Sequence, residues 1–180
     1  MSHDLVLTVI SDDKPGVVDT LAQTINRFGG NWLESRMSHL AGKFAGILRV
    51  SVNKEQAETL RNALEALAQE GVKVMVECAT REDTRASVEY QDFTFSAVGP
   101  DRPGIVREIA QALLSRNINM EQLSTDYSST PWSGEPLFIA TGTLRVPKLV
   151  DVDELNDQFE TIADELALDI KLEAASATEQ

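Results

Sequence analysis

Asp13-Lys14-Pro15-Gly16-Val17-Val18 returns in the same chain as Asp101-Arg102-Pro103-Gly104-Ile105-Val106, 101 − 13 = 88 residues later. Asn31 returns at the same shift as Asn119 (119 − 31 = 88), a whole helix further on. A spacing kept over that distance marks a repeated fold, not a repeated tetrapeptide. Gly46-Ile47-Leu48-Arg49-Val50 then matches Gly142-Thr143-Leu144-Arg145-Val146 at a shift of 96, which reads as an insertion of 96 − 88 = 8 residues in the second copy.

Outward from these turns, the hydrophobic periods give the same order twice. Leu5 to Ile10 and Phe93 to Val98 read as strands. Val17, Val18, Leu21, Ala22, Ile25 and Phe28 fall at helical spacing, as do Ile105, Val106, Ile109, Ala110, Leu113 and Leu114. Gly29-Gly30 and Asn117 read as left-handed helix ends. A hairpin follows in each copy, Asn31 to Ser38 with Phe44 to Val52 across Ala41-Gly42, and Asn119 to Tyr127 with Leu137 to Val146. The stretch Ser128 to Pro136 is too rich in Ser, Pro and Gly to extend a ladder and predicts an exposed loop carrying Trp132. A one-sided helix and a short alternating strand complete each copy. The class is α+β, two ferredoxin-like βαββαβ domains, each an antiparallel sheet with helices on one face. The expected division is domain 1 at 1–79, a polar linker at 80–91, domain 2 at 92–173 and a disordered tail at 174–180.

Composition narrows the function. Of 180 residues, 16 are basic and 29 acidic, a net charge of −13, which repels a nucleic-acid backbone instead of displacing its counterions. Direct DNA or RNA binding is not expected. The single Cys78 rules out an internal disulfide framework, and a reducing cytoplasm fits. The start, Met1 to Asp4, lacks a basic signal segment, and the apolar run after it is too short for a membrane span. His3 and His39 are far apart without cysteines or carboxylates at ligand spacing, so no metal is expected. No P-loop or nucleophile elbow is present, hence no catalytic residue and no cofactor.

The repeated turn itself carries the candidate chemistry. Asp is a good N-cap, Pro suits a first turn, and Gly leaves the backbone open to a ligand. A helix end then offers free N–H groups and a positive dipole end to a small carboxylate. One such turn is no more than a well-capped helix, but two in register favour a site. Asn31 and Asn119 serve equally as turn residues or as amides that hold both ends of a free amino acid.

The strand, the Asp-Lys/Arg-Pro-Gly turn, the apolar helix and the following Asn resemble the ACT domain, from Leu5 to about Glu173. ACT domains are small-molecule-binding regulatory modules, many of them amino-acid sensors. The tandem pair is further similar to the glycine cleavage system transcriptional repressor family. The resemblance implies ligand-binding roles for Asp13, Lys14, Pro15, Gly16, Val17 and Asn31, and for Asp101, Arg102, Pro103, Gly104, Ile105 and Asn119. In related proteins the ligand sits where two such domains pair. It also implies a non-catalytic sensor, glycine being the first ligand to consider, that represses transcription through a DNA-binding activator protein. Trp132 is the candidate contact for that partner. Two rivals stay open: an ACT-type regulator acting in trans on a metabolic enzyme, and an RNA-binding βαββαβ module showing Phe44, Phe93 and Phe95 on its sheet. No membrane partner is expected, and assembly into a homo-oligomer stays open.

Overall fold

A computed structural model describes residues 2–79 and 89–174. The chain divides near residue 83 into two compact units. Unit 1 runs β1 (Ser2–Asp12), α1 (Val17–Arg27), β2 (Asn31–Leu40), β3 (Lys43–Asn53), α2 (Lys54–Ala66), a 3-10 turn (Leu67–Glu70) and β4 (Val72–Cys78). Unit 2 runs β5 (Tyr90–Pro100), α3 (Ile105–Ser115), β6 (Asn119–Ser129), β7 (Pro136–Pro147), α4 (Val152–Leu166) and β8 (Asp169–Ala174). The sheets are antiparallel, in orders β2-β3-β1-β4 and β6-β7-β5-β8. The doubled βαββαβ order is as read from the sequence.

Each unit has its own core. Leu5, Leu7 and Val9 of β1, with Leu48 and Val50 of β3, are buried beneath Leu21 and Ile25 of α1 and Leu60 and Leu64 of α2. Phe93, Phe95 and Ala97 do the same under Ile109, Leu113, Leu155 and Phe159. The turns also follow expectation. Ala41 and Gly42 have φ of 50° and 77°, as a two-residue hairpin with primed geometry requires, and Gly29 and Asn117 end their helices at 70° and 54°. Among the described residues no helix is long and apolar enough to cross a membrane.

Five details correct the sequence reading. First, the apolar stripes are narrower than their spacing suggests. Val18 is 47% exposed and Val106 43%, while Ala22, Ala110 and Leu114 also fall outside the buried line. A helix lying on a sheet buries only one line of residues, here Val17, Leu21 and Ile25.

Second, the match of Gly46–Val50 with Gly142–Val146 is not the structural match. Leu5 faces Val50 and Leu7 faces Leu48, whereas Phe93 faces Leu144 and Phe95 faces Gly142. Since Leu5 and Phe93 are equivalent at 88, Val50 corresponds to Leu144, a shift of 144 − 50 = 94. The hairpin insertion is therefore 94 − 88 = 6 residues. Strands repeat every two residues, so a two-residue slip leaves every side chain on its own face and leaves no trace in the pattern. Volume follows the slip. A Cβ on Gly142 would run into the Phe95 ring, where unit 1 sets Leu48 opposite Leu7.

Third, the ladder continues through the supposed loop, pairing Ser128 with Leu137 and Ser129 with Pro136. Only Thr130 to Glu135 turn, tied by Thr130 N–H to Glu135 O at 3.0 Å, and Trp132 there is 98% exposed. Fourth, Tyr90 and Gln91, expected in the linker, belong to β5, and Ala174, expected in the tail, belongs to β8. The remainder of that linker, 80–88, and of that tail, 175–180, lies outside the described residues. Fifth, Asp is not the N-cap of either repeated helix, as the site shows.

Candidate functional site

Both repeated turns share one backbone. The Asp13 N–H donates to Gly42 O and the Asp101 N–H to Pro136 O, each at 3.0 Å, which pins the loop to its neighbouring hairpin. The first helical bond is accepted by Gly16 O from Thr20 N (2.9 Å), and by Gly104 O from Glu108 N (3.0 Å). The caps are therefore Gly16 and Gly104, with φ of 94° and 102°. The chain leaves its strand and enters the helix through a single left-handed residue, a conformation that Gly adopts without strain and Asp does not. Pro15 and Pro103 precede the cap instead of opening the first turn.

The consequence is an uncapped helix start. A helix leaves its first N–H groups without intrahelical acceptors, and neither Gly cap supplies a side-chain oxygen. The start of α4 contrasts with this, since Asp151 Oδ1 accepts from Asp153 N at 2.9 Å and from Glu154 N at 3.4 Å. Open N–H groups and the dipole end make α1 and α3 suited to an anion.

In unit 1 the loop borders a cavity of about 550 Å³ lined by residues that include Asp13, Lys14, Gly16, Val17, Asp19 and Phe44. Its apolar wall is completed by Val18 and Ala22, the helix positions that the sheet does not cover. Helical spacing alone assigns both to the core. The signal that separates them is the excess width of the stripe. Lys14 is exposed, and its Nζ donates to Glu70 O at 2.9 Å. Asp12 beside the loop is held below the usual carboxylate range by the hydrogen bond and charge of Lys43.

In unit 2, Asp101, Arg102, Pro103 and Gly104 are exposed like their counterparts and Ile105 is buried like Val17. Arg102 Nη2 lies 3.6 Å from Glu108 Oε2.

The structure does not bring the asparagines to these loops within a unit. Asn31 pairs with Ser51, which also faces Asp4, whereas the loop follows Asp12. The eight residues of β1 between those levels span about 26 Å at roughly 3.3 Å each. Asn119 stands level with Arg145 and Asp92, equally far from Pro100, and its Nδ2 donates to Glu121 Oε1 at 2.9 Å. A single unit cannot hold one small amino acid between its own loop and its own Asn.

Residues 3–77 match the model of the ACT domain family. The first unit is therefore an ACT domain, and the second unit repeats its fold. No curated protein matches this ACT chain. Among solved structures, an unknown protein from Galdieria sulphuraria is 26% identical and superposes with a TM-score of 0.86, covering 97% of this chain and 99% of that one. A candidate glycine cleavage system transcriptional repressor is 20% identical, with a TM-score of 0.69 over 96% of both chains. An ACT domain protein from Streptococcus pneumoniae is 30% identical over 43% of this chain and 90% of its own, with a TM-score of 0.39. The tandem ACT fold is thus common to this chain and to the first two.

Proposed function

We propose that this tandem ACT protein is a non-catalytic regulator that senses a small amino acid and represses transcription through a DNA-binding activator protein. The observation that carries it is the ACT turn of unit 1, where a left-handed Gly16 leaves the start of α1 open beside a cavity with an apolar wall and two carboxylates. Glycine is the first ligand to test, because the repressor with the same fold is named for the glycine cleavage system. The activator would be the route to DNA, since a chain of net charge −13 repels phosphates and attracts a basic protein surface. Trp132, 98% exposed, is the proposed anchor for that surface. A cytoplasmic location belongs to the same reading.

Regulation of a metabolic enzyme in trans is the second reading, and the ACT fold supports it as well. The RNA-binding module loses its support. Phe93 and Phe95 are 6% and 3% exposed on the helix-covered face, and Phe44 packs half-buried against the first core. Phe93 and Phe95 therefore offer no ring for a base to stack on, and Phe44 lines the loop cavity of unit 1 instead of standing on an open sheet.

A thermal-shift screen of the common amino acids tests the sensor. A ligand at 100 times its Kd adds about 2.7 kcal/mol and raises Tm by several degrees; a flat response to all of them removes the sensing function. A pull-down from the native host then separates activator from enzyme. Sequence-specific DNA retardation by this chain alone would refute the indirect route.

A further inference from the structure

The two ACT loops share backbone and apolar wall but not charge. Val18, Ala22 and Phe44 correspond to Val106, Ala110 and Phe138, whereas Asp19 corresponds to Arg107 and Thr20 to Glu108. Around Gly16 there is room, because a Cβ built there meets no heavy atom within 4 Å. Around Gly104 the same atom would stand 3.5 Å from Glu108 Oε1, and the other oxygen of that carboxylate faces Arg102 at 3.6 Å. Unit 2 thus places the Glu108 carboxylate beside Gly104, at the position where unit 1 has Thr20.

A free amino acid is a zwitterion, so its site needs N–H donors for the carboxylate and an acceptor for the ammonium. Unit 1 supplies both. The start of α1 offers the donors, while Asp13 and Asp19 line the same cavity and offer the acceptors. Asp19 takes one hydrogen bond from Gln23 Nε2 at 2.6 Å through a single oxygen. Unit 2 keeps Asp101 but sets the Glu108 carboxylate beside the helix start, where it repels the ligand's own, and carries Arg107 in place of the Asp19 acceptor.

We propose that the loop of unit 1 alone binds the amino acid, and that the loop of unit 2 is a silent copy closed by Glu108. This rests on the sensor reading above. The experiment is calorimetric titration of the full chain with glycine and, separately, with L-leucine, which shares the zwitterion and adds an apolar side chain. The expected result is one binding event per chain. Asp19→Arg should weaken it at least tenfold, about 1.4 kcal/mol, whereas Arg107→Asp with Glu108→Thr should add a second event. Because Asp19→Arg alters a first turn, circular dichroism must show the helices retained; the double variant keeps the test valid if they are not. Two equal events in the wild-type chain, or no second event in the double variant, overturn the inference and leave the sensor standing. No heat with either amino acid, together with a flat thermal screen, overturns both.

Discussion

Unit 1 sets Leu7 opposite Leu48, and unit 2 sets Phe95 opposite Gly142. Near the other end of the same strands, the buried Ser11 of unit 1 faces Val72, while Gly99 packs against Leu168 in unit 2. Where one strand carries the larger side chain of such a pair, as at Phe95 or Leu168, its neighbour has given up its own. What the two copies keep is the filled volume of a pair of facing positions, because interiors tolerate neither voids nor overlap. The other sheet face has changed in character as well. Val6, Ile47 and Met75 of unit 1 stand where unit 2 has Thr94, Thr141 and Lys171.

Transplanting half a pair is the severest test of this rule. Gly142→Leu drives a side chain into Gln122 O and the Phe95 ring, and should cost about 3 kcal/mol or more in urea unfolding. Adding Phe95→Leu should return part of that loss, a coupling of about 1 kcal/mol. Strictly additive losses would mean that the pair is not the unit of packing.

A second, smaller effect separates backbone from ligand. Gly16→Ala and Gly104→Ala each place a Cβ on a left-handed residue, so each should lower stability by about 1–2 kcal/mol. Equal stability losses are expected from the shared backbone. Only the Gly16 variant should reduce amino-acid binding, which calorimetry on both variants would show.

Smaller again is the tie between α3 and α4. Arg116 donates to Gln158 Oε1 at 2.6 Å and to Glu154 Oε1 at 2.9 Å, and the hydrogen bond followed by the charge holds the Glu154 carboxyl below its ordinary range. A depressed carboxyl pKa stabilises the fold above the unfolded value and ceases to do so as pH falls through the folded one. The penalty of Arg116→Ala should accordingly be larger at pH 7 than at pH 3, as urea melts at both would measure. At the position equivalent to Arg116 (116 − 88 = 28), unit 1 carries Phe28, which packs against the first core. The pH effect therefore belongs to unit 2.

Trp132 should respond least. With its side chain in solvent, Trp132→Ala should change stability by no more than about 0.5 kcal/mol, while weakening capture of the protein partner. A large loss of stability would show that this turn packs, unlike the two-residue turn of unit 1.

The duplication, the order of elements, the hairpin turn at Ala41-Gly42 and the left-handed ends at Gly29 and Asn117 were all legible in the chain. Each rests on local chemistry: period-two and helical spacing, and residues that tolerate positive φ. Which strand positions face each other was not legible, since a slip of two preserves every local pattern and only the folded sheet selects one register. Packing on that sheet likewise left Val18 and Ala22 outside the core and turned them toward the cavity. The course of β1 from one end of the sheet to the other separates Asn31 from the loop of its own unit. Glu108 folds back toward Gly104, a meeting that depends on the cap geometry of a helix start and not on either residue alone.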